Sequence, residues 1–172
     1  ELLPKVLAES NNIYAGALTK TLGKKVFHKG NFQAGALAIK NILQNPTGIN
    51  FAAMKLTDGS GLSRYNLITP NQITRLLYTM YHAPKLKDCY LSALALAGTT
   101  GTLKNRLIAF DTHANIRAKT GTMTGVSALA GYITTQNAKH LAFTMLINNT
   151  LLPIATVKKI EDELCQVLVT YG

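Results

Sequence analysis

Lys119-Thr120-Gly121-Thr122 stands just ahead of VSALAGYITT at residues 126–135, and reading the two stretches together decides the fold. The second is a short apolar run and is predicted to be a buried strand. Residues 141–148 repeat that character beyond Gln136-Asn137-Ala138-Lys139. The two runs are therefore expected to pair as an antiparallel hairpin. Residues 115–119 read as a further short strand leading into the Lys-Thr-Gly-Thr stretch. A lysine, threonine hydroxyls and a glycine at a strand margin supply a cation, hydrogen-bond donors and an open backbone. That set suits a carboxylate and an amide carbonyl.

Outward from this stretch the chain is mostly helical in pattern. Residues 1–9 read as a short helix with Pro4 in its first turn. Ser10-Asn11-Asn12 interrupts it. A second helix sets Tyr14, Leu18 and Leu22 on one face and is expected to end at Gly23, with Lys24 and Lys25 at the negative end of its dipole. Residues 31–44 follow, with pairs Ala38/Ile42 and Ile39/Leu43, closed by Asn45-Pro46-Thr47-Gly48. Residues 51–57 read as a short strand entering the glycine-rich loop Asp58-Gly59-Ser60-Gly61-Leu62-Ser63-Arg64. Thr69-Pro70 forms a cap and first helical position ahead of Ile73, Leu76, Leu77 and Met80. Residues 88–96 read as helix and 98–101 as a turn. Pro153 opens a last helix with Val157, Ile160, Leu164 and Val167 along one side. Helices, then a hairpin, then a closing helix give an α+β fold, an antiparallel sheet flanked by helices. No linker or repeat divides it, so residues 1–172 are expected to be one domain portion.

Composition narrows the functions. Apolar residues make up 47% of 172, enough for a real core. Eighteen Lys and Arg against eight Asp and Glu leave a net charge of +10. Such a balance suits anionic surfaces, including cell wall, or simple solubility. The lysines are scattered without interleaved aromatics, which argues against nucleic-acid binding. Cys89 and Cys165 fit no metal spacing, and both are expected to be buried thiols. His28, His82, His113 and His140 are dispersed and make no zinc pattern, so no metal is expected. No run reaches the about 18 apolar residues that span a membrane. No leader is visible either, and Glu1 falls inside an expected helix, as in a processed or truncated piece.

Three motifs occur in order: Ser10-Asn11-Asn12, then the loop of residues 58–64, then Lys119-Thr120-Gly121-Thr122. Each is weak alone; together they are specific. With Gly101-Thr102-Leu103-Lys104-Asn105-Arg106 and residues 119–132, they resemble the C-terminal part of penicillin-binding serine D-alanyl-D-alanine carboxypeptidases/endopeptidases of low molecular mass. The resemblance covers nearly the whole chain. It implies a partial serine β-lactamase/penicillin-binding-protein transpeptidase-like fold that lacks its N-terminal segment. In that family S-x-x-K, S-x-N and K-T-G build the site. This chain has the second and third but no S-x-x-K. Thr21-Leu22-Gly23-Lys24 and Thr156-Val157-Lys158-Lys159 stand in the wrong order to replace it. The nucleophile is therefore expected from an upstream segment of the same enzyme.

The resemblance also implies roles. Ser10 would pass a proton toward the leaving D-alanine amine. Asn12 would bind the substrate amide carbonyl, while Asn11 points away. Lys119 would set a positive potential. Thr120 and Thr122 would hold the terminal carboxylate, with the Thr122 N–H as half of an oxyanion hole. Gly121 would keep the margin clear for a substrate added like a strand. Leu62, Met123 and Arg64 would line the pocket for the stem-peptide side chain. Asp58 reads as a turn-former with a salt bridge to Arg64 as one option; Ser60 and Ser63 read as loop hydrogen-bonders. Arg106 and Arg117 read as structural, and the histidines as packing or surface residues. The implied activity is acyl-enzyme hydrolysis of peptidoglycan stem peptides ending in D-Ala-D-Ala, blocked by β-lactams, outside the cytoplasmic membrane, with no cofactor. Lacking the nucleophile, these residues alone are expected to be inactive. A β-lactamase relative and a non-catalytic wall-binding module are the competing readings.

Overall fold

A computed structural model describes residues 2–108 and 115–172; Glu1 and His113 lie outside the described residues. The elements run α1 (Leu2–Leu7), α2 (Asn12–Phe27), α3 (Phe32–Thr47), α4 (Pro70–Tyr81), α5 (Lys87–Ala93), β1 (Ala95–Leu96), β2 (Asn115–Met123), β3 (Val126–Thr134), β4 (His140–Ile147) and α6 (Ile154–Tyr171). The strands form one antiparallel sheet in the order β1-β2-β3-β4. The fold is α+β, as expected. Among the described residues no helix is long and apolar enough to cross a membrane.

Strand alternation divides the sheet into two faces. Ile116, Ala118, Leu129, Ile133 and Phe143 point one way and pack with Cys165 and Val169 of α6. Tyr132 points the other way, toward Leu77 of α4 and Leu94, and its hydroxyl donates to the Leu77 carbonyl at 2.7 Å. The β2–β3 hairpin closes tightly: Met123 pairs with Val126, and Gly125 between them takes φ +72°. A glycine meets that angle without a Cβ clash. At α4, Thr69 and Gln72 cap each other reciprocally, with Pro70 at the helix start.

Several sequence expectations are corrected. Residues 119–122 do not follow a strand; they are part of β2, which runs on to Met123. The expected strand at 51–57 is a 3-10 turn, Phe51–Ala53, followed by an isolated bridge between Lys55 and Leu67. Helix α5 stops at Ala93, and Ala95–Leu96 pair with β2 instead. Helix α2 passes Gly23 and ends at His28 in the left-handed region. Gly23 serves helix contact: a Cβ there would lie 2.6 Å from the Gly35 nitrogen. Thus small Gly16, Thr19 and Gly23 are the buried face of α2, while Tyr14 and Leu18 are exposed. Helix α3 runs through Pro46, and Ile42 on it is exposed. The lost turn is closed by Thr47 Oγ1 donating to Leu43 and by the Gly48 N–H donating to Gln44.

The buried row of α6 is Val157, Glu161, Cys165 and Val169, rather than the face holding Ile160, Leu164 and Val167, which are exposed. Glu161 sits in that row at 0% exposure because Arg106 Nη2 (2.9 Å) and Ser127 Oγ (2.7 Å) satisfy its carboxylate. Arg106 also bonds Asp162 at 2.6 Å and the Lys158 carbonyl at 3.1 Å. Arg117 donates to the Leu91 carbonyl at 3.3 Å. Cys89 is exposed, contrary to expectation, whereas Cys165 is buried, which pushes its thiol pKa up to about 12.

Candidate active site

The α1–α2 junction places Ser10. Helix α1 closes with the Asn11 N–H donating to the Lys5 carbonyl, and Asn11 Oδ1 caps α2 by accepting from the Tyr14 N–H at 3.0 Å. Between these bonds Ser10 is left at φ 60°. Glycine or asparagine usually fills that position, and a serine there is strained. Its side chain is thereby aimed at the sheet. Lys119 Nζ donates to Ser10 Oγ at 2.6 Å and to the Thr120 carbonyl at 2.6 Å. Among the described residues no carboxylate pairs with Lys119. Burial therefore acts unopposed and lowers its pKa to about 8.

Strand parity sets what β2 offers. The Ala97 N–H donates to the Ile116 carbonyl, and Ala118 pairs with Ala95, so backbone groups of even-numbered residues face β1. β1 begins only at Ala95 and pairs β2 at Arg117 and Ala118. Beyond it, the backbone of Thr120 and Thr122 faces an open margin. Lys119 occupies the Thr120 carbonyl, which leaves the Thr122 N–H presented outward. A Cβ on Gly121 would sit 3.4 Å from that of Ala128, an ordinary contact, so packing within the sheet does not demand glycine there. Thr120 Oγ1 meets Thr102 Oγ1 at 2.8 Å.

The glycine-rich loop is pinned at three points. Asp58 accepts from Ser60 Oγ, the Gly61 and Ser63 N–H groups and Asn66 Nδ2. Partial burial pushes its pKa up, but the bonds from Asn66, Gly61, Ser63 and Ser60 outweigh that and hold it below the usual carboxylate value. Gly59 lies against α2, where a Cβ would fall 2.7 Å from the Ala15 carbonyl oxygen. Arg64 does not pair with Asp58; its Nη2 donates to the Thr124 carbonyl at 2.7 Å, at the β2–β3 turn. The loop is thus fastened beside Met123. A hollow of about 490 Å³ at that end is lined by Thr122, Met123, Thr124, Gly125 and residues 150–152 and 154. A second, of about 430 Å³ between α3 and residues 51–57, touches none of the predicted site residues.

The structure therefore joins Ser10, Lys119 and Thr120 directly and ties Arg64 to the strand end that carries Met123. Asn12 is exposed in the first turn of α2, and Leu62 is exposed on the loop. Thr102 is the residue that sequence reasoning passes over; its only signal is the glycine beside it in the quoted Gly101–Arg106 stretch.

Comparison with known proteins gives concordant findings. The D-Ala-D-Ala carboxypeptidase 3 (S13) family matches residues 1–171. D-alanyl-D-alanine carboxypeptidase DacB of Haemophilus influenzae is 37% identical over 152 residues, covering 86% of this chain and 31% of that protein. D-alanyl-D-alanine carboxypeptidase of Actinomadura sp. (strain R39) is 36% identical over 154 residues, covering 87% and 28%. The crystal structure of penicillin-binding protein 4 from Haemophilus influenzae, complexed with a β-lactam, superposes with a TM-score of 0.85 at 34% identity, covering 99% of this chain and 41% of the other. The chain thus spans about a third of the length of the curated relatives it matches.

Proposed function

The chain belongs to the D-Ala-D-Ala carboxypeptidase 3 (S13) family, and on that premise we propose that it supplies the proton-transfer and substrate-holding side of an acyl-transfer site. The substrate is a peptidoglycan stem peptide ending in D-Ala-D-Ala, and the enzyme works outside the cytoplasmic membrane. The nucleophilic serine comes from outside these residues, since no S-x-x-K occurs among them. Its Oγ attacks the carbonyl carbon of the penultimate D-alanine, and the C–N bond to the terminal D-alanine breaks. The serine proton leaves on that amine. Water then hydrolyses the ester.

The observation that carries the reading is the 2.6 Å contact between Lys119 Nζ and Ser10 Oγ beside an open strand margin. A hydroxyl held by a cation accepts one proton while giving another, as transfer to the leaving amine requires. Lys119 adds positive potential where the substrate carboxylate lies. The Thr120 and Thr122 hydroxyls bind that carboxylate, and the Thr122 N–H donates to the oxyanion. Gly121 leaves room for the peptide to lie along β2. Asn12 holds the substrate amide. Arg64, Leu62 and Met123 shape the side-chain pocket. The same site accepts β-lactams as acylating inhibitors, and no metal or organic cofactor takes part.

Labelled penicillin tests the reading. The full-length enzyme is expected to label covalently, Lys119→Ala much more slowly, and residues 1–172 alone not at all. Labelling that is unchanged in Lys119→Ala would remove the assignment of Lys119, and a full-length enzyme that takes no label would end the acyl-transfer reading.

A further inference from the structure

We propose that Thr102 is a positioning residue of the carboxylate subsite, a role that rests on the acyl-transfer reading above. Its hydroxyl lies 2.8 Å from that of Thr120, at the open margin of β2. Each threonine hydroxyl carries one proton and accepts through its lone pairs. At that separation one of the two protons lies between the oxygens and the other points outward. Thr120 donates to Thr102 in the free site. Once a carboxylate arrives, Thr102 donates to Thr120, and Thr120 turns its own proton to the ligand. No proton is gained or lost, and the Thr120 oxygen stays in place throughout.

The mount of Thr102 is rigid. Its N–H donates to the Ala8 carbonyl at 3.0 Å. Gly101, at φ +55°, packs so closely that a Cβ would lie 2.3 Å from the same oxygen. Leu103 on its other side is fully buried. Ala8 closes the helix that leads to Ser10. One residue therefore ties the Ser10 junction, through its N–H, to the Lys119–Thr120 margin, through its hydroxyl. The hydroxyl pair itself is exposed. A solvent-exposed bond between two hydroxyls adds little to folding, so a ligand-facing role accounts for its placement better than stability does. Without Thr102, the Thr120 side chain is free to redistribute between χ1 wells.

The test compares full-length wild type, Thr102→Val and Thr102→Ser on a peptide ending in D-Ala-D-Ala and on the same peptide with a C-terminal carboxamide. The measured quantity is the ratio of kcat/KM for carboxylate over carboxamide, which does not depend on the fraction of enzyme that is folded. Thr102→Val is expected to lower that ratio by up to about tenfold, the upper end of the scale of one neutral hydrogen bond. Thr102→Ser is expected to restore it. An unchanged ratio in Thr102→Val overturns the proposal while leaving acyl transfer standing. A wild-type enzyme that takes no penicillin label overturns both.

Discussion

Lys119 and Arg106 are both cations drawn out of water, yet their surroundings are opposite. Arg106 meets two carboxylates, Glu161 at 2.9 Å and Asp162 at 2.6 Å. Burial pulls its pKa down, but the bonds and charges of Asp162 and Glu161 outweigh that and hold it above the ordinary value. Lys119 meets a hydroxyl and a carbonyl, and burial alone lowers its pKa to about 8. A paired buried charge joins elements; here it fastens α6 to the turn after β1 and to Ser127 of β3. A buried charge without a counter-ion is costly in the empty fold and becomes favourable when an anion arrives. The contrast separates a region of architecture from the candidate site.

The contrast is broken most directly at Lys119. Lys119→Ala in the full-length enzyme is expected to lower the rate of penicillin acylation by about a thousandfold, comparable to or beyond loss of an oxyanion donor. Its thermal unfolding midpoint is expected to hold or rise, since a poorly solvated charge is gone. A matching fall in stability would make Lys119 architectural after all.

Glu161→Ala is the converse experiment. It leaves Arg106 partly uncompensated and Ser127 without its acceptor, and is expected to cost about 3–5 kcal/mol in denaturant unfolding. A loss below about 1 kcal/mol would show that Asp162 suffices for Arg106.

A smaller effect is expected at Ser10. Ser10→Gly relieves the left-handed backbone and is expected to stabilise the fold by about 1 kcal/mol, while slowing acylation for want of the hydroxyl. Lower stability in this variant would mean that the Lys119–Ser10 bond outweighs the strain.

The remaining effect is the pH signature of Lys119. Its pKa falls from 10.5 in the unfolded chain to about 8 in the fold. Between those values the unfolded state holds more protons, so stability rises with pH across that window. The destabilising contribution is fully present below about pH 8 and is gone by about 10.5. Unfolding free energies measured across this range are expected to climb more steeply in wild type than in Lys119→Met. Parallel curves would deny the shift.

Much of this was legible because local chemistry leaves few choices. The Thr69-Pro70 start, the β3–β4 hairpin and the glycine-rich loop each follow from residues that favour one local geometry. The three candidate-site motifs stood out as residue types whose chemistry is scarce in combination. Periodicity misled wherever packing reversed it. Helix α2 buries glycines and a threonine because α3 lies close, and α6 buries Glu161 because partners from distant segments satisfy it. No local pattern carries either fact.

The sequence by itself determined which groups were present: a lysine, hydroxyls and a glycine at a strand margin, a serine between two helices, and a glycine-rich loop that opens at Asp58. Tertiary structure alone decided that Lys119 reaches Ser10 across 109 positions of chain and meets no acid among the described residues. It also decided that β1 begins only at Ala95, leaving the backbone of Thr120 and Thr122 without a strand partner on that side, and that Thr102 arrives beside Thr120. The physical reason is that hydrogen-bond geometry and burial depend on which distant segments are brought together. Composition and spacing describe each segment only before that meeting.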